Sequence, residues 1–525
     1  MEGRYPSSMQ SVSESWNRAR QLEAQGSWDQ ARSLYEAILA SEPLHVPARL
    51  RMSRFEQSAD CYLAAKQHLS RAASAIRERH GMQVIGYVTA RLLEFAEEGE
   101  VASLILSLDW SDPEVIRQSP VLAQHLWLAG RYEDALRFLD AVATRVPAHH
   151  LLSFTRANVL RYLGDMTGAE RAYEVCLSLS PNFADAHWAL ATHARAQPPL
   201  ARVARIREAL NHAPDAGLEQ AHLFYALFRE YDAADEIDEA WSALWQGAAI
   251  MRGRLVFDPE RETERMEALM RCAVAALRPE SNALPVPVFI LGMPRTGTTL
   301  LDRILGNHSL VRSLGERNDL AAAVSETWGR FFRSTLHADP RELLTQLDFA
   351  KAGDLYLQRL RLLAPQARYV IDKNPQNLFS IPIILQALPQ ARILCLRRDP
   401  MDACFSNLKE LFQGDAYPYS YALDELADHC LRVRRWMDHW QGAASHSVRI
   451  VDYEDIVEDP DAAIAAVLEF LGLELQGGLS EITRNTAPVS TASSSQVREN
   501  IHARGVGAWK RYAQQLEPLH ARLSA

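Results

Sequence analysis

The stretch Pro287-Val-Phe-Ile-Leu-Gly-Met-Pro-Arg-Thr-Gly-Thr-Thr299-Leu-Leu-Asp-Arg303 constrains the fold of this chain more than any other. The apolar run Val286–Leu291 predicts a buried strand. A glycine-bracketed turn follows, and Thr298 onward predicts a helix. This layout aims backbone N–H groups and a helix N-terminus at an anion. It nearly spells the nucleotide-binding loop G-x-x-x-x-G-K-[ST], but Thr298 stands where that motif has lysine. The cation inside the loop is Arg295. The segment is therefore a strong anion-loop signal and a weak NTPase signal.

A length of 525 residues allows two to four domains. The formal charge of −10 argues against a non-specific nucleic-acid binder. A polyanionic ligand must then be held by locally focused positive charge. The six cysteines (Cys61, Cys176, Cys272, Cys395, Cys404, Cys430) have no C-x-x-C spacing, which excludes a disulfide framework and a zinc site. Their scatter fits a reducing compartment. With no apolar signal core at the N-terminus and no apolar run long enough for a bilayer, the expectation is a cytoplasmic chain without a membrane span.

The front of the chain repeats itself. Gly130 and Gly164, Ala135 and Ala169, and Pro147 and Pro181 are each 34 residues apart. Gly26, Ala31, Tyr35 and Pro43 give a third copy, with Tyr35 equivalent to Tyr173. This is the tetratricopeptide pattern, a helix–turn–helix unit that stacks into a solenoid whose concave face receives a peptide or partner. Trp16, Trp28, Trp127, Trp188, Trp241 and Trp245 are expected mostly to pack between helices. Pro279–Pro285 marks a boundary, after which short apolar runs at Val286–Leu291, Arg368–Ile371, Ala391–Leu396 and Val448–Val451 alternate with helical segments. The fold class is thus multidomain: an N-terminal all-α tetratricopeptide solenoid over 10–280, and a C-terminal α/β P-loop-like domain over 285–525 with a mainly parallel sheet. Ligands of such sheets bind beyond the carboxyl ends of the strands.

After the third run comes Arg397-Arg-Asp-Pro-Met-Asp-Ala-Cys-Phe-Ser406. Arg398 stands at the strand end and Ser406 two helical turns on, so a guanidinium fork and a hydroxyl can share a phosphate. Asp399 and Pro400 also form an ordinary helix start. Two anion sites after two strands of one sheet are more specific than either alone. Here the chain resembles the nucleotide-dependent sulfotransferases over roughly Pro285 to Ala525. The first motif resembles their 5′-phosphosulfate loop, which implies that Pro294, Arg295, Thr296, Gly297, Thr298 and Thr299 bind the donor. The second resembles their 3′-phosphate site, R-[DN]-P-x-D-x-x-x-S, which implies the same of Arg398 and Ser406.

Four further segments resemble the branch that holds the tyrosylprotein sulfotransferases and tetratricopeptide-fused bacterial enzymes. Ser313-Leu-Gly-Glu316 implies Glu316 as catalytic base. Asp372-Lys-Asn-Pro375 implies Lys373 at the transferring group, and Asp452-Tyr-Glu454 implies Tyr453 beside the adenosine. Thr491–Arg498 implies Ser493, Gln496 and Arg498 near the donor, with Ser494 and Ser495 as alternatives to Ser493. Gly505-Val-Gly-Ala-Trp-Lys510 is similar to the closing G-x-x-G-x-W-K segment of cytosolic sulfotransferases, with one residue fewer between the glycines, which implies Arg504 or Lys510 as a phosphate contact.

The implied donor is 3′-phosphoadenosine 5′-phosphosulfate, giving 3′-phosphoadenosine 5′-phosphate as product. Moving a sulfuryl group between oxygens calls for a base at the acceptor, charge stabilisation at the leaving phosphate, and alignment. Glu316 is the candidate base. Lys373 and Arg295 would offset developing charge, and with such cations no metal is expected. His308, at the end of the anion-loop helix, is expected to pack or cap. The acceptor is a hydroxyl, with a peptide or protein tyrosine among the options alongside carbohydrate, lipid or metabolite hydroxyls. Tyr417, Tyr419 and Tyr421 line an acceptor cleft or form a packed loop. A P-loop kinase or NTPase, or a repeat scaffold with a relic fold, stands as the alternative. The repeat domain would recruit the acceptor or a partner, and a homodimer is compatible with it.

Overall fold

The structure, a computed structural model, describes residues 7–193, 198–271, 284–485, 487 and 499–525. It divides into two compact units, one drawn from Met1–Val159 with Ala321–Phe332, the other from Leu160–Leu320 with Arg333–Ala525.

The described part of the first unit is built of helices. Gly26 and Gly130 adopt φ of 75° and 72° in the turns before the helices Trp28–Ser41 and Tyr132–Ala143. A side chain is strained in that left-handed region, which is why the repeat marks these turns with glycine. Ala31, Tyr35 and Ala135 are fully buried one turn or more beyond the glycines. Trp16 packs on Tyr35 at a ring separation of 5.5 Å, and Trp28, though 56% exposed, meets Phe55 edge-on at 6.0 Å. Residues 321–332 complete this unit: Arg330 Nε donates to Asp60 Oδ2 at 2.5 Å, and Gly329 O accepts from Tyr62 N at 2.9 Å.

In the second unit Gly164 (φ 96°) repeats the turn before Met166–Leu179, with Ala169 and Tyr173 buried behind it. Helices Leu218–Ala233, Ile237–Arg254 and Pro259–Arg271 follow. Then comes a five-stranded, all-parallel sheet: β1 Val286–Gly292, β2 Val311–Ser313, β3 Tyr369–Asp372, β4 Arg392–Arg397 and β5 Val448–Asp452, in the order β2-β3-β1-β4-β5. Central β1 has helices on both faces, so it needs a continuous apolar run rather than alternation. Val288 and Ile290 pack with Leu301 and Leu305 of the following helix and with Val467 and Leu468. On the other face, Phe289 stacks on Tyr356 of helix Phe349–Leu363 at 5.7 Å.

Four strands fall within a residue or so of their expected bounds. The three-residue edge strand β2 is additional. The helices before the sheet bond to the helix Leu423–Ala443 that precedes β5: Arg252 pairs with Glu425 at 2.6 and 2.7 Å, and Glu262 accepts from Arg432 at 3.0 Å. No helix among the described residues is long and apolar enough to cross a membrane.

Candidate functional site

The anion loop takes its shape from backbone that few side chains tolerate. Arg295 and Gly297 have φ of 68° and 101°, and Gly297 caps the helix Thr298–Leu305. A Cβ on Gly297 would stand 2.5 Å from Tyr453 Cδ2, so glycine is required there by space as well as by φ. Thr296 Oγ1 donates to Met293 O at 2.8 Å, closing the turn. Asn407 Nδ2 donates to Pro294 O at 2.7 Å and braces it from the helix Pro400–Leu408. Thr296, Thr298 and Thr299 are all buried in this loop.

One of the expected residues follows each strand by one to three positions. In spatial order across the sheet, β2 leads to Glu316, β3 to Lys373, β1 to Arg295, β4 to Arg398 and β5 to Tyr453. Neighbouring strands lie about 4.8 Å apart, so these residues form a row along one edge.

On one side of the loop, Lys373 Nζ donates to Glu316 Oε1 at 2.5 Å, with the lysine 1% and the glutamate 42% exposed. The Glu316 loop is pinned to the end of β3: Lys373 N donates to Gly315 O at 3.0 Å, and Asn374 Nδ2 to Arg317 O at 2.9 Å. Asp302, one turn into the anion-loop helix, faces the same lysine. Burial raises its carboxyl pKa, and Lys373 opposes that shift. Tyr417 has φ 55° and feels the Glu316 charge, while burial is the larger cause of its raised pKa. It packs edge-on against Phe412 at 4.8 Å. Tyr419 is buried, stacked on His429 at 3.5 Å.

Asp372, at the end of β3, accepts from Tyr356 Oη at 2.9 Å. Burial, with Asp319 adding, pushes its pKa up to about 7, against the tyrosine bond, Arg317 and Lys373. A folded-state pKa above the unfolded value of about 4 means the native state keeps a proton that the unfolded chain has released. The contribution of this group therefore favours folding at low pH and is lost as pH climbs from about 4 to about 7. Asp372→Asn should accordingly gain thermal stability relative to the wild type as pH rises from about 5 to about 8. Melting curves at the two pH values check this, and a pH-independent difference would count against it.

On the other side, Arg398 Nη1 donates to Arg295 O at 3.0 Å, and Nη2 to Gly505 O. Its guanidinium stacks on Tyr453 at 4.7 Å, and among the described residues nothing accepts from its buried Nε. Asp399 caps the next helix through Asp402 N at 3.0 Å. Asp402 accepts from Gly507 N at 2.6 Å and Trp509 N at 3.3 Å, holding the C-terminal segment against Arg398. Ser406 is buried in the last turn of that helix. Lys510 is exposed, and Arg504 turns to Glu499. The side chain of Arg295 does not lie free in the loop: it is 9% exposed and stands 3.8 Å from Glu410 Oε2. Ser493, Gln496 and Arg498, with Ser494 and Ser495, lie outside the described residues. His308 is buried, with Nε2 and Glu474 O 3.1 Å apart.

Sequence reasoning assigned no role to Asp402, Asn407, Asp302 or Glu410. Asp402 did leave a signal, as the aspartate of R-[DN]-P-x-D. The others left none, because their partners are remote in the chain.

The parallel sheet thus carries a lysine-less glycine-bracketed loop after β1 and a helix bearing Ser406, preceded by Arg398, after β4, at the ends of adjacent strands. Residues 287–477 match the model of the sulfotransferase family, so the C-terminal part of the chain carries a sulfotransferase-family domain. An uncharacterized protein of Aquifex aeolicus is 25% identical, over 74% of this chain and 52% of that one. Protein-tyrosine sulfotransferase 2 of Gallus gallus is 25% identical, over 37% of this chain and 52% of its own length. The chain thus spans about half the length of these relatives. Among solved structures, the sulfotransferase domain of the Synechococcus PCC 7002 olefin synthase aligns with 44% of this chain and 91% of its own. Its TM-score is 0.30 at 18% identity.

Proposed function

We propose that this protein is a sulfotransferase that takes its sulfuryl group from 3′-phosphoadenosine 5′-phosphosulfate and passes it to an acceptor hydroxyl. One observation carries the reading: Arg398 donates to Arg295 O at 3.0 Å, joining the two anion-binding elements at the ends of adjacent strands. The residues fit such a donor. Pro294–Thr299 offer turn and helix amides to its phosphosulfate. Arg398 and Ser406 offer a fork and a hydroxyl to its 3′-phosphate, and among the described residues nothing accepts from the buried Arg398 Nε. The Tyr453 ring presents a face to the adenosine. Gln496, Arg498 and Lys510 belong to the reading as further donor contacts, and Ser493 as a catalytic one.

The donor, when bound, supplies the sulfuryl group; the chain's own groups do the rest. Glu316, the more exposed partner of its ion pair, accepts the proton of the acceptor hydroxyl. Lys373, held rigidly by Glu316 and faced by Asp302, counters negative charge at the loop. The helix-terminal amides of Thr298 and Thr299 add fixed dipoles. None of these roles calls on a metal, and the described residues hold no group of His, Cys, Asp or Glu spaced to bind one.

The tyrosine-sulfating relative supports a peptide or protein hydroxyl as acceptor. The repeat helices suit recruitment of that acceptor or of a partner, within the bounds 10–280 and 285–525. A cytoplasmic setting suits the free, buried thiols of Cys176, Cys395, Cys404 and Cys430. Thermal-shift measurement tests the donor: 3′-phosphoadenosine 5′-phosphate should raise the melting temperature, and ATP with magnesium should raise it less. The reverse ranking would favour a kinase or NTPase.

A further inference from the structure

Helix Leu218–Ala233 belongs to the same compact unit as the sheet, and its side chains reach the donor side. Tyr225 Oη donates to Leu408 O at 2.9 Å, and Arg229 Nη2 to Lys409 O at 2.8 Å. Asp232 accepts from Arg511 Nη1 and Tyr512 Oη, both at 2.8 Å. Arg229 also stands 3.6 Å from Glu410 Oε2, the same oxygen that is 3.8 Å from Arg295 Nε. Glu410 and Arg295 are each 9% exposed, so the contact is poorly screened.

One carboxylate oxygen therefore stands between two guanidinium groups. Other charged groups stand close by. Arg398 lies on Arg295 O, and Lys409 sits over the Phe405 ring at 4.6 Å. Burial first, then Arg229, Arg295 and Arg398, draw the Lys409 pKa down to about 8, with Asp232 opposing. An isolated Arg295–Glu410 pair would be neutral and would itself add no net charge at the loop. Adding Arg229 leaves the trio with a net positive charge.

We propose that Arg229 is a positioning residue for the donor site: it takes up part of the Glu410 charge and so leaves Arg295 charged towards the donor's anionic group. The helical segment is then a working part of the catalytic unit, not only a recruiting module. The inference rests on the donor reading given above.

Calorimetric titration of the full chain with 3′-phosphoadenosine 5′-phosphate tests it. Arg229→Met should weaken binding about tenfold, the scale of one unit charge lost near a partly buried anion. Adding Glu410→Gln to that variant should restore affinity, because the neutralising carboxylate is then gone. Arg252→Met, which breaks another ion pair of the helical segment, should leave affinity unchanged. Glu410→Gln alone should bind more tightly than the wild type, which keeps the test open if Arg229→Met does not fold. The inference is overturned by unchanged affinity in Arg229→Met, by a double variant as weak as the single one, or by weaker binding in Glu410→Gln. A wild type that binds no 3′-phosphoadenosine 5′-phosphate overturns the donor reading itself.

Discussion

Glu316→Gln is expected to lower turnover by about 10²–10⁴-fold, the usual worth of a general base, while 3′-phosphoadenosine 5′-phosphate still binds with wild-type affinity. Glutamine is the right probe because its amide oxygen can still accept from Lys373 Nζ, which lies 2.5 Å from Glu316 Oε1 in the wild type. Alanine would leave a 1%-exposed ammonium without its partner and confound chemistry with folding. Donor affinity should survive because Glu316 follows β2, two strands from the anion loop after β1. Sulfate transfer from labelled donor to a fractionated cell extract measures turnover and also identifies the acceptor. Wild-type turnover in the variant would remove Glu316 from the mechanism.

Arg398→Ala should weaken 3′-phosphoadenosine 5′-phosphate binding by about 100-fold, close to 3 kcal/mol, the value of one strong charge-assisted interaction. Two losses combine. The ligand loses a guanidinium fork, and the protein loses the bonds to Arg295 O and Gly505 O that tie the anion loop to the C-terminal segment. Faster amide exchange over residues 503–512 should accompany the loss. Arg398→Lys retains the charge but not the fork, and should fall between the two. An alanine variant that binds as the wild type does would place the 3′-phosphate elsewhere.

Much of the sheet was legible because buried parallel strands are continuous apolar runs, and Val286–Leu291 and Ala391–Leu396 are such runs. Val311–Ser313 was not, since three residues at a sheet edge carry too little pattern to separate from a loop. The glycines of the anion loop were legible through the backbone they permit. That Gly297 must also make room for Tyr453 was not, because the two are far apart in the chain. Arg295 was expected to face the loop's ligand. Its pairing with Glu410 depends on a helix that begins more than a hundred residues after it.

By itself the sequence determined the local chemistry: four of the five strands, the glycine-marked turns, and which side chains have the chemistry to grip an anion. These follow from short-range sterics, periodicity and charge, and residues within a few positions of one another decide them. Only the tertiary structure decided that Glu316, Lys373, Arg295, Arg398 and Tyr453 stand in one row, because the order β2-β3-β1-β4-β5 is set by packing and crossover, not by succession in the chain. It alone also decided that Arg229 shares a carboxylate with Arg295, since charges nearly seventy residues apart interact only once burial has brought them together and removed the water between them.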